Sequence, residues 1–104
     1  MLYNPPEIFD GQEYDERVDV WSFGCIIFQL CNNDVPFTSQ TENGLMHKIK
    51  FMKHKQINHK FSKEIQDLYE ICMNKDYQTR PTASEIISLD FMQQWAKELN
   101  IMNH

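Results

Sequence analysis

The apolar positions of this chain recur at helical rather than strand spacing. The densest apolar stretch is VDVWSFGCIIFQLC at 18–31. Apolar side chains there would cover nearly all sides of a helix, which is typical of a helix buried inside a domain. A core strand is the alternative interpretation because the stretch contains β-branched residues, but its length favours a helix. We therefore predict a central core helix at 18–31.

Shorter amphipathic segments follow this helix. Apolar residues at helical spacing predict a helix within 42–53, and the polar residues 54–61 predict a loop. Ser62 is a suitable N-cap for a further helix that continues to Cys72. Each of these helices has one apolar side, so each is expected to pack against the central helix.

The remaining residues predict short helices at both ends of the chain. Pro5 and Pro6 exclude a regular helix before them, and residues 7–10 could form one helical turn. Thr82 and Glu85 form a capping box, and Asp90 could cap a last helix with Phe91, Trp95 and Leu99 on one face. We predict a mainly α fold with about five helices around the central helix.

Charge is unevenly distributed in a chain of 104 residues with a net charge of −5. Six carboxylates fall within 7–19, and six of the eight lysines fall within 48–63. Solvated faces are the simpler interpretation of such runs, and a partner-docking surface around 48–63 is the alternative. The negative balance argues against a nucleic-acid partner, and the 18–31 stretch is too short to span a membrane.

The chain contains three cysteines, Cys25, Cys31 and Cys72, whose use indicates the redox state of the compartment. Their number is odd and no pair has a metal-site spacing. Cys25 and Cys72 lie among apolar residues, so buried free thiols and a reducing, cytoplasmic setting are expected. His54 and His59 lie in the polar loop and are expected to be exposed rather than metal ligands.

Three motifs stand in order along the chain, namely YNPPEIF at 3–9, DVWSFGC at 19–25 and DYQTRPTASEI at 76–86. Together they resemble the C-terminal lobe of the eukaryotic protein-kinase catalytic domain. On this resemblance, 1–104 is a partial kinase domain from the Pro-Pro-Glu motif onward. Residues 1–17 would be the end of the substrate-binding segment and a loop.

The resemblance implies that two charged residues form an ion pair that ties the substrate-binding segment to a later part of the chain. It implies that Glu7 pairs with Arg80, because a planar guanidinium can hold a carboxylate through two parallel hydrogen bonds. From the residues alone, the alternative is a surface glutamate and a surface arginine that never meet.

Other matching residues receive structural or substrate roles. Asp19 matches an acid that fixes the catalytic loop, and without that loop it is expected to be exposed or to hold its proton more tightly. Trp21 and Gly24 are structural by the same resemblance. Tyr3 would help line a substrate pocket, and a tyrosine there resembles the serine/threonine branch.

No catalytic, cofactor-binding or metal residue is predicted in this chain. The sequence contains no Asp-Phe-Gly, no His-Arg-Asp and no phosphate-cradling glycine cluster. The resemblance implies a parent that uses ATP and Mg²⁺ to phosphorylate protein substrates, with the missing N-terminal part of the domain as this chain's partner, and Met1 as a possible truncation. A pseudokinase, a scaffold, or a stand-alone interaction domain docking through 42–60 are the alternatives.

Overall fold

Six helices and their connecting loops make up the part of the chain that the structure describes. A computed structural model describes residues 4–11 and 15–102, and no strand occurs within these ranges. The helices are α1 (Pro6–Phe9), α2 (Arg17–Asn32), α3 (Glu42–Phe51), α4 (Lys63–Cys72), α5 (Ala83–Ile87) and α6 (Asp90–Met102). The predicted mainly α fold is therefore confirmed, with α1 as the single turn foreseen beside the Pro-Pro pair.

Helix α2 is the centre of the fold. Trp21, Cys25 and Phe28 on one side of it are almost completely buried. The helix ends where Asn33 adopts a left-handed conformation (φ 53°) and donates its backbone N–H to the Gln29 carbonyl. Asparagine tolerates this conformation better than most residues, which explains why the helix stops there.

Burial of α2 is one-sided. Phe23, Ile26 and Leu30 are 41%, 44% and 81% exposed, respectively. These three residues, spaced three and four positions apart, form an exposed apolar patch on a helix that the sequence predicted to be buried. Within the described part of the chain, no helix is long and apolar enough to cross a membrane.

The tightest contact in the core joins α2 to α4. A Cβ atom added at Gly24 would lie 2.7 Å from the Cys72 Cβ and 3.1 Å from the Met73 sulfur. One helical turn further on, the rings of Phe28 and Tyr69 pack with their centroids 5.3 Å apart. Glycine is therefore required at position 24 because the two helices approach too closely for a side chain.

Capping side chains set the starts of three helices. Thr41 accepts a hydrogen bond from Gly44 N at the start of α3, and Ser62 accepts one from Ile65 N at the start of α4. The predicted capping box of Thr82 and Glu85 is present at α5. Helix α6 begins at Asp90 itself, so this acid lies in the first turn.

The loop between α3 and α4 is held against the core by hydrogen bonds. The Asn32 side chain donates to the Gln56 carbonyl and accepts from Asn58 N, both at 3.1 Å, and the Tyr69 hydroxyl donates to the Lys55 carbonyl at 2.7 Å. These contacts draw the loop inward.

One residue of this loop, His54, is less exposed than the sequence predicted. The His54 side chain is only 9% exposed, whereas we expected an exposed histidine. It lies edge-on to the rings of Phe37 and Tyr69 and forms a 2.9 Å contact from Nε2 to Glu70 Oε2. His59 is exposed as predicted. The local polarity of 54–61 could not reveal that long-range hydrogen bonds press His54 onto the aromatic core.

Candidate functional site: a buried glutamate and arginine anchor

Glu7 in α1 and Arg80 before α5 form a buried, bidentate ion pair. Arg80 Nη1 donates to Glu7 Oε2 at 2.8 Å and Nη2 donates to Oε1 at 3.0 Å. The exposed fractions of the two side chains are 0% for Arg80 and 1% for Glu7. The structure therefore brings together two residues that stand 73 positions apart in the chain.

Arg80 is also bound to the backbone of two other segments. Its Nε donates to the Asn74 carbonyl at 2.8 Å, and Nη1 donates to the Arg17 carbonyl at 2.9 Å. The two carboxylate oxygens of Glu7 and the backbone carbonyls of Asn74 and Arg17 all accept hydrogen bonds from the Arg80 guanidinium. Because a guanidinium has five donors in a fixed geometry, this arrangement fixes its orientation.

An aromatic ring packs against the Arg80 guanidinium. The Arg80 guanidinium carbon lies 5.2 Å from the centre of the Trp21 ring, within the range of a cation–π contact. Trp21 is fully buried, and its indole nitrogen has no hydrogen-bond partner within the described residues. Trp21 thus acts as the packing surface that links the anchor to the core of α2.

The loop that carries Arg80 is rigid because of its own side chains. Asn74 accepts from Asp76 N at 3.0 Å and donates to Thr79 Oγ1 at 2.8 Å. Arg80 N in turn donates to the Asp76 carbonyl at 3.0 Å. Sequence reasoning identified Asp76 and Arg80 in one motif but missed Asn74, whose role depends on this tight turn.

Lys75 is a partly buried cation beside the anchor that the sequence did not reveal. Its ammonium group lies 4.5 Å from the Phe37 ring centre and 5.7 Å from that of Trp21, and it donates to the Ile49 carbonyl. Burial lowers the pKa of Lys75 from 10.5 to about 8. A lysine next to an apolar helix end is a weak sequence signal, since lysines at such positions are usually solvated.

A polar cavity of about 340 Å³ lies beside the anchor. Glu7, Lys75 and Asp76 contribute to its lining, together with Asp10 and Lys50, which form an ion pair at 2.5 Å. Three acids and two lysines line it, so the cavity has no strong preference for ions of one sign. Its position suits a structural role beside the α1 segment.

The other predicted residues do not join this site. Asp19 is exposed in the first turn of α2, and Gly24 lies in the contact with α4. The predicted pocket residue Tyr3 lies outside the described residues. No predicted site residue other than Trp21 contacts the Glu7 and Arg80 pair within the described part of the chain.

The chain's three glycines lie in three different settings. Gly24 is enclosed between α2 and α4, and a Cβ at Gly44 would collide with the Ser39 hydroxyl inside the α3 cap. Gly11 has a left-handed conformation (φ 67°) in an isolated turn.

Comparisons with known proteins agree on one family. The family model described as "Protein kinase domain" matches residues 1–92. A probable serine/threonine-protein kinase nek2 of Dictyostelium discoideum is 32% identical over 101 residues, or 95% of this chain and 24% of that protein. The serine/threonine-protein kinase Nek2 of Homo sapiens is 35% identical over 86 residues, or 82% of this chain and 19% of that protein. The chain thus spans about a quarter or less of these relatives.

Proposed function

Because this chain belongs to the protein kinase domain family, we propose that it is the substrate-side helical scaffold of a serine/threonine kinase. The whole protein would transfer the γ-phosphate of ATP to serine or threonine hydroxyls of protein substrates. The observation that carries the proposal is the buried pair of Glu7 and Arg80. It holds the segment around α1, which the kinase resemblance places at the end of the substrate-binding region.

The physical role of the anchor is to fix a segment with little secondary structure of its own. Helix α1 has only four residues and no side-chain cap, and so short a helix is not stable by itself. The two hydrogen bonds from Arg80 fix the Glu7 carboxylate relative to α2 and α5. A substrate bound on this segment would then be held in a reproducible position.

ATP and Mg²⁺ belong to the proposed activity of the whole protein and not to this chain. The motifs that supply metal ligands and the catalytic acid in kinases are absent from the sequence. We therefore expect the 104-residue chain to bind no ATP. A cytoplasmic setting is proposed on the basis of its three free cysteines, two of them buried.

The test uses the whole protein that carries this chain. It is incubated with ATP, Mg²⁺ and peptides whose only acceptor is serine, threonine or tyrosine, and phosphate transfer to each is measured. We expect transfer to the serine and threonine peptides. Absence of transfer to any peptide, with a folded protein, would overturn the proposal in favour of a pseudokinase or scaffold.

Variants then test the anchor. Glu7→Gln is expected to lower kcat/KM for the peptide by up to about 10²-fold, because small displacements of a bound substrate can have effects of that size. The KM for ATP should stay near the unmodified value. Lys97→Gln, at an exposed position on α6, is the matched control and should leave both constants unchanged. Equal activity of Glu7→Gln and Lys97→Gln would contradict the role of the anchor.

A further inference from the structure

One segment of the chain is strongly basic although the chain as a whole is acidic. Residues 34–63 contain six lysines and two acids, a net charge of +4, whereas the rest of the chain contains four basic and thirteen acidic residues, a net charge of −9. The basic stretch comprises α3, the loops on either side of it and the first residue of α4. Such separation of charge creates a local positive field on an otherwise negative protein.

A groove of about 240 Å³ lies within this stretch. Its lining combines three apolar residues, three lysines and one threonine, namely Pro36, Phe37, Met52, Lys48, Lys53, Lys55 and Thr38. We call it the lysine groove. It is smaller than the roughly 300–1,000 Å³ of small-molecule sites, so it has room for one side chain of a partner rather than for a whole cofactor.

The three lysines of the groove are held in different ways. Lys48 Nζ donates to the Thr38 carbonyl at 2.5 Å, and Lys55 Nζ pairs with Asp34 at 2.9 Å. Lys53 is exposed and forms no ion pair or hydrogen bond within residues 4–11 and 15–102. The Lys55 and Asp34 side chains are 40% and 48% exposed, so that pair is weak and can be exchanged for a partner's carboxylate.

Apolar surface adjoins these charges. Phe51 and Met52 are 70% and 50% exposed at the end of α3. Methionine is flexible and polarisable, so Met52 can adapt to different apolar partners. An exposed aromatic residue and an exposed methionine beside three ammonium groups form a surface with both apolar and electrostatic contacts to offer.

We propose that the lysine groove docks an acidic, extended protein segment that carries one large apolar side chain. The apolar side chain would enter the groove against Phe37 and Met52, and carboxylates on either side would contact Lys48 and Lys53. This docking activity is separate from phosphoryl transfer. A short acidic peptide fits the charge map, because a longer polyanion would extend from the basic stretch onto the acidic remainder.

The experiment measures binding of fluorescent peptides to the 104-residue chain by anisotropy. The probes are a short peptide of Asp and Glu around a central leucine, the same peptide with serine for leucine, and a charge-reversed peptide of lysines around leucine. We expect binding of the acidic leucine peptide to exceed that of the other two by about tenfold or more. Added salt should weaken it, because exposed charges are screened.

Matched variants locate the site. Lys53→Glu should weaken binding about tenfold, whereas Lys63→Glu, the same charge change at an exposed position outside the groove, should have at most a small effect. Met52→Ser should remove the preference for the leucine peptide over the serine peptide. Circular dichroism of each variant verifies that the helices are retained.

Three results would overturn the proposal. Equal losses in Lys53→Glu and Lys63→Glu would show a nonspecific charge effect. Equal binding of the leucine and serine peptides would remove the apolar component. Tighter binding of a single-stranded oligonucleotide, or of vesicles containing anionic lipid, than of the acidic leucine peptide would assign the basic surface to another class of partner.

Discussion

The anchor between Glu7 and Arg80 makes a quantitative prediction for stability. In Glu7→Ala, the guanidinium of Arg80 would keep its bonds to the Asn74 and Arg17 carbonyls but lose both charged acceptors. The positive charge would stay in a site where its side chain is 0% exposed. The cost is therefore dominated by a buried charge without a counterion.

The magnitude follows from this geometry. Removing one partner of a buried ion pair costs about 3–5 kcal/mol, and we expect Glu7→Ala to fall in this range. Glu7→Gln keeps one acceptor oxygen and should cost about 1.5–3 kcal/mol. Replacing both residues by apolar ones, as in Glu7→Leu with Arg80→Met, should cost less than the sum of the single changes, because no charge is left unpaired.

The assay is urea unfolding followed by circular dichroism at equilibrium, with the free energy of unfolding obtained by linear extrapolation. Asp34→Ala is the matched control, since it removes a carboxylate from the exposed pair with Lys55 and should cost about 0–1 kcal/mol. A Glu7→Ala cost within the range of this control would refute the reasoning. So would strict additivity in the double variant, because it would mean that the two residues do not interact.

Three further predictions concern the core, the pH response and the exposed patch. Gly24→Ala should lower the thermal midpoint, because overpacking against the Cys72 Cβ costs about 1–3 kcal/mol and outweighs the gain of up to about 1 kcal/mol in helix propensity. Burial lowers the pKa of His54 below its ordinary 6.5, against the opposing effect of Glu70, so the unfolded chain binds a proton first and stability should fall as the pH drops below about 6.5. Leu30→Lys should raise the temperature at which aggregation begins while changing the free energy of unfolding by less than about 0.5 kcal/mol.

Each of these measurements has a control or a contrary outcome. An unchanged or higher midpoint for Gly24→Ala would mean that α2 and α4 can separate without cost. The pH effect should disappear in His54→Gln but persist in His59→Gln, and its persistence in both would assign it to other groups. For Leu30→Lys, a loss of more than about 1 kcal/mol would indicate that this side chain is buried in solution.

Local signals in the sequence predicted the helices well. The spacing of apolar residues placed α2 within one residue at each end, and Thr82 with Glu85 marked the start of α5. These signals depend on neighbouring residues, whose hydrogen bonds and rotamers are set by the backbone within a turn or two. The kinase resemblance then supplied the pairing of Glu7 with Arg80, which no local pattern contains.

The features that were missed depend on long-range contacts. His54 lies in a polar stretch, yet Asn32 and Tyr69 draw its loop onto the core. Lys75 stands between polar neighbours in the sequence but contacts two aromatic rings. Their burial depends on residues that lie well away from them in the chain, so composition and periodicity around either residue cannot predict it.

The distance along the chain between Glu7 and Arg80 has a consequence for folding during synthesis. At about 5–20 residues per second, a ribosome needs roughly 4–15 s to add the 73 residues that separate them. The contact between α2 and α4 spans a shorter loop and can form first. The α1 segment is therefore expected to be fixed in place only after Arg80 has been added, and until then Glu7 stays hydrated rather than buried without a partner.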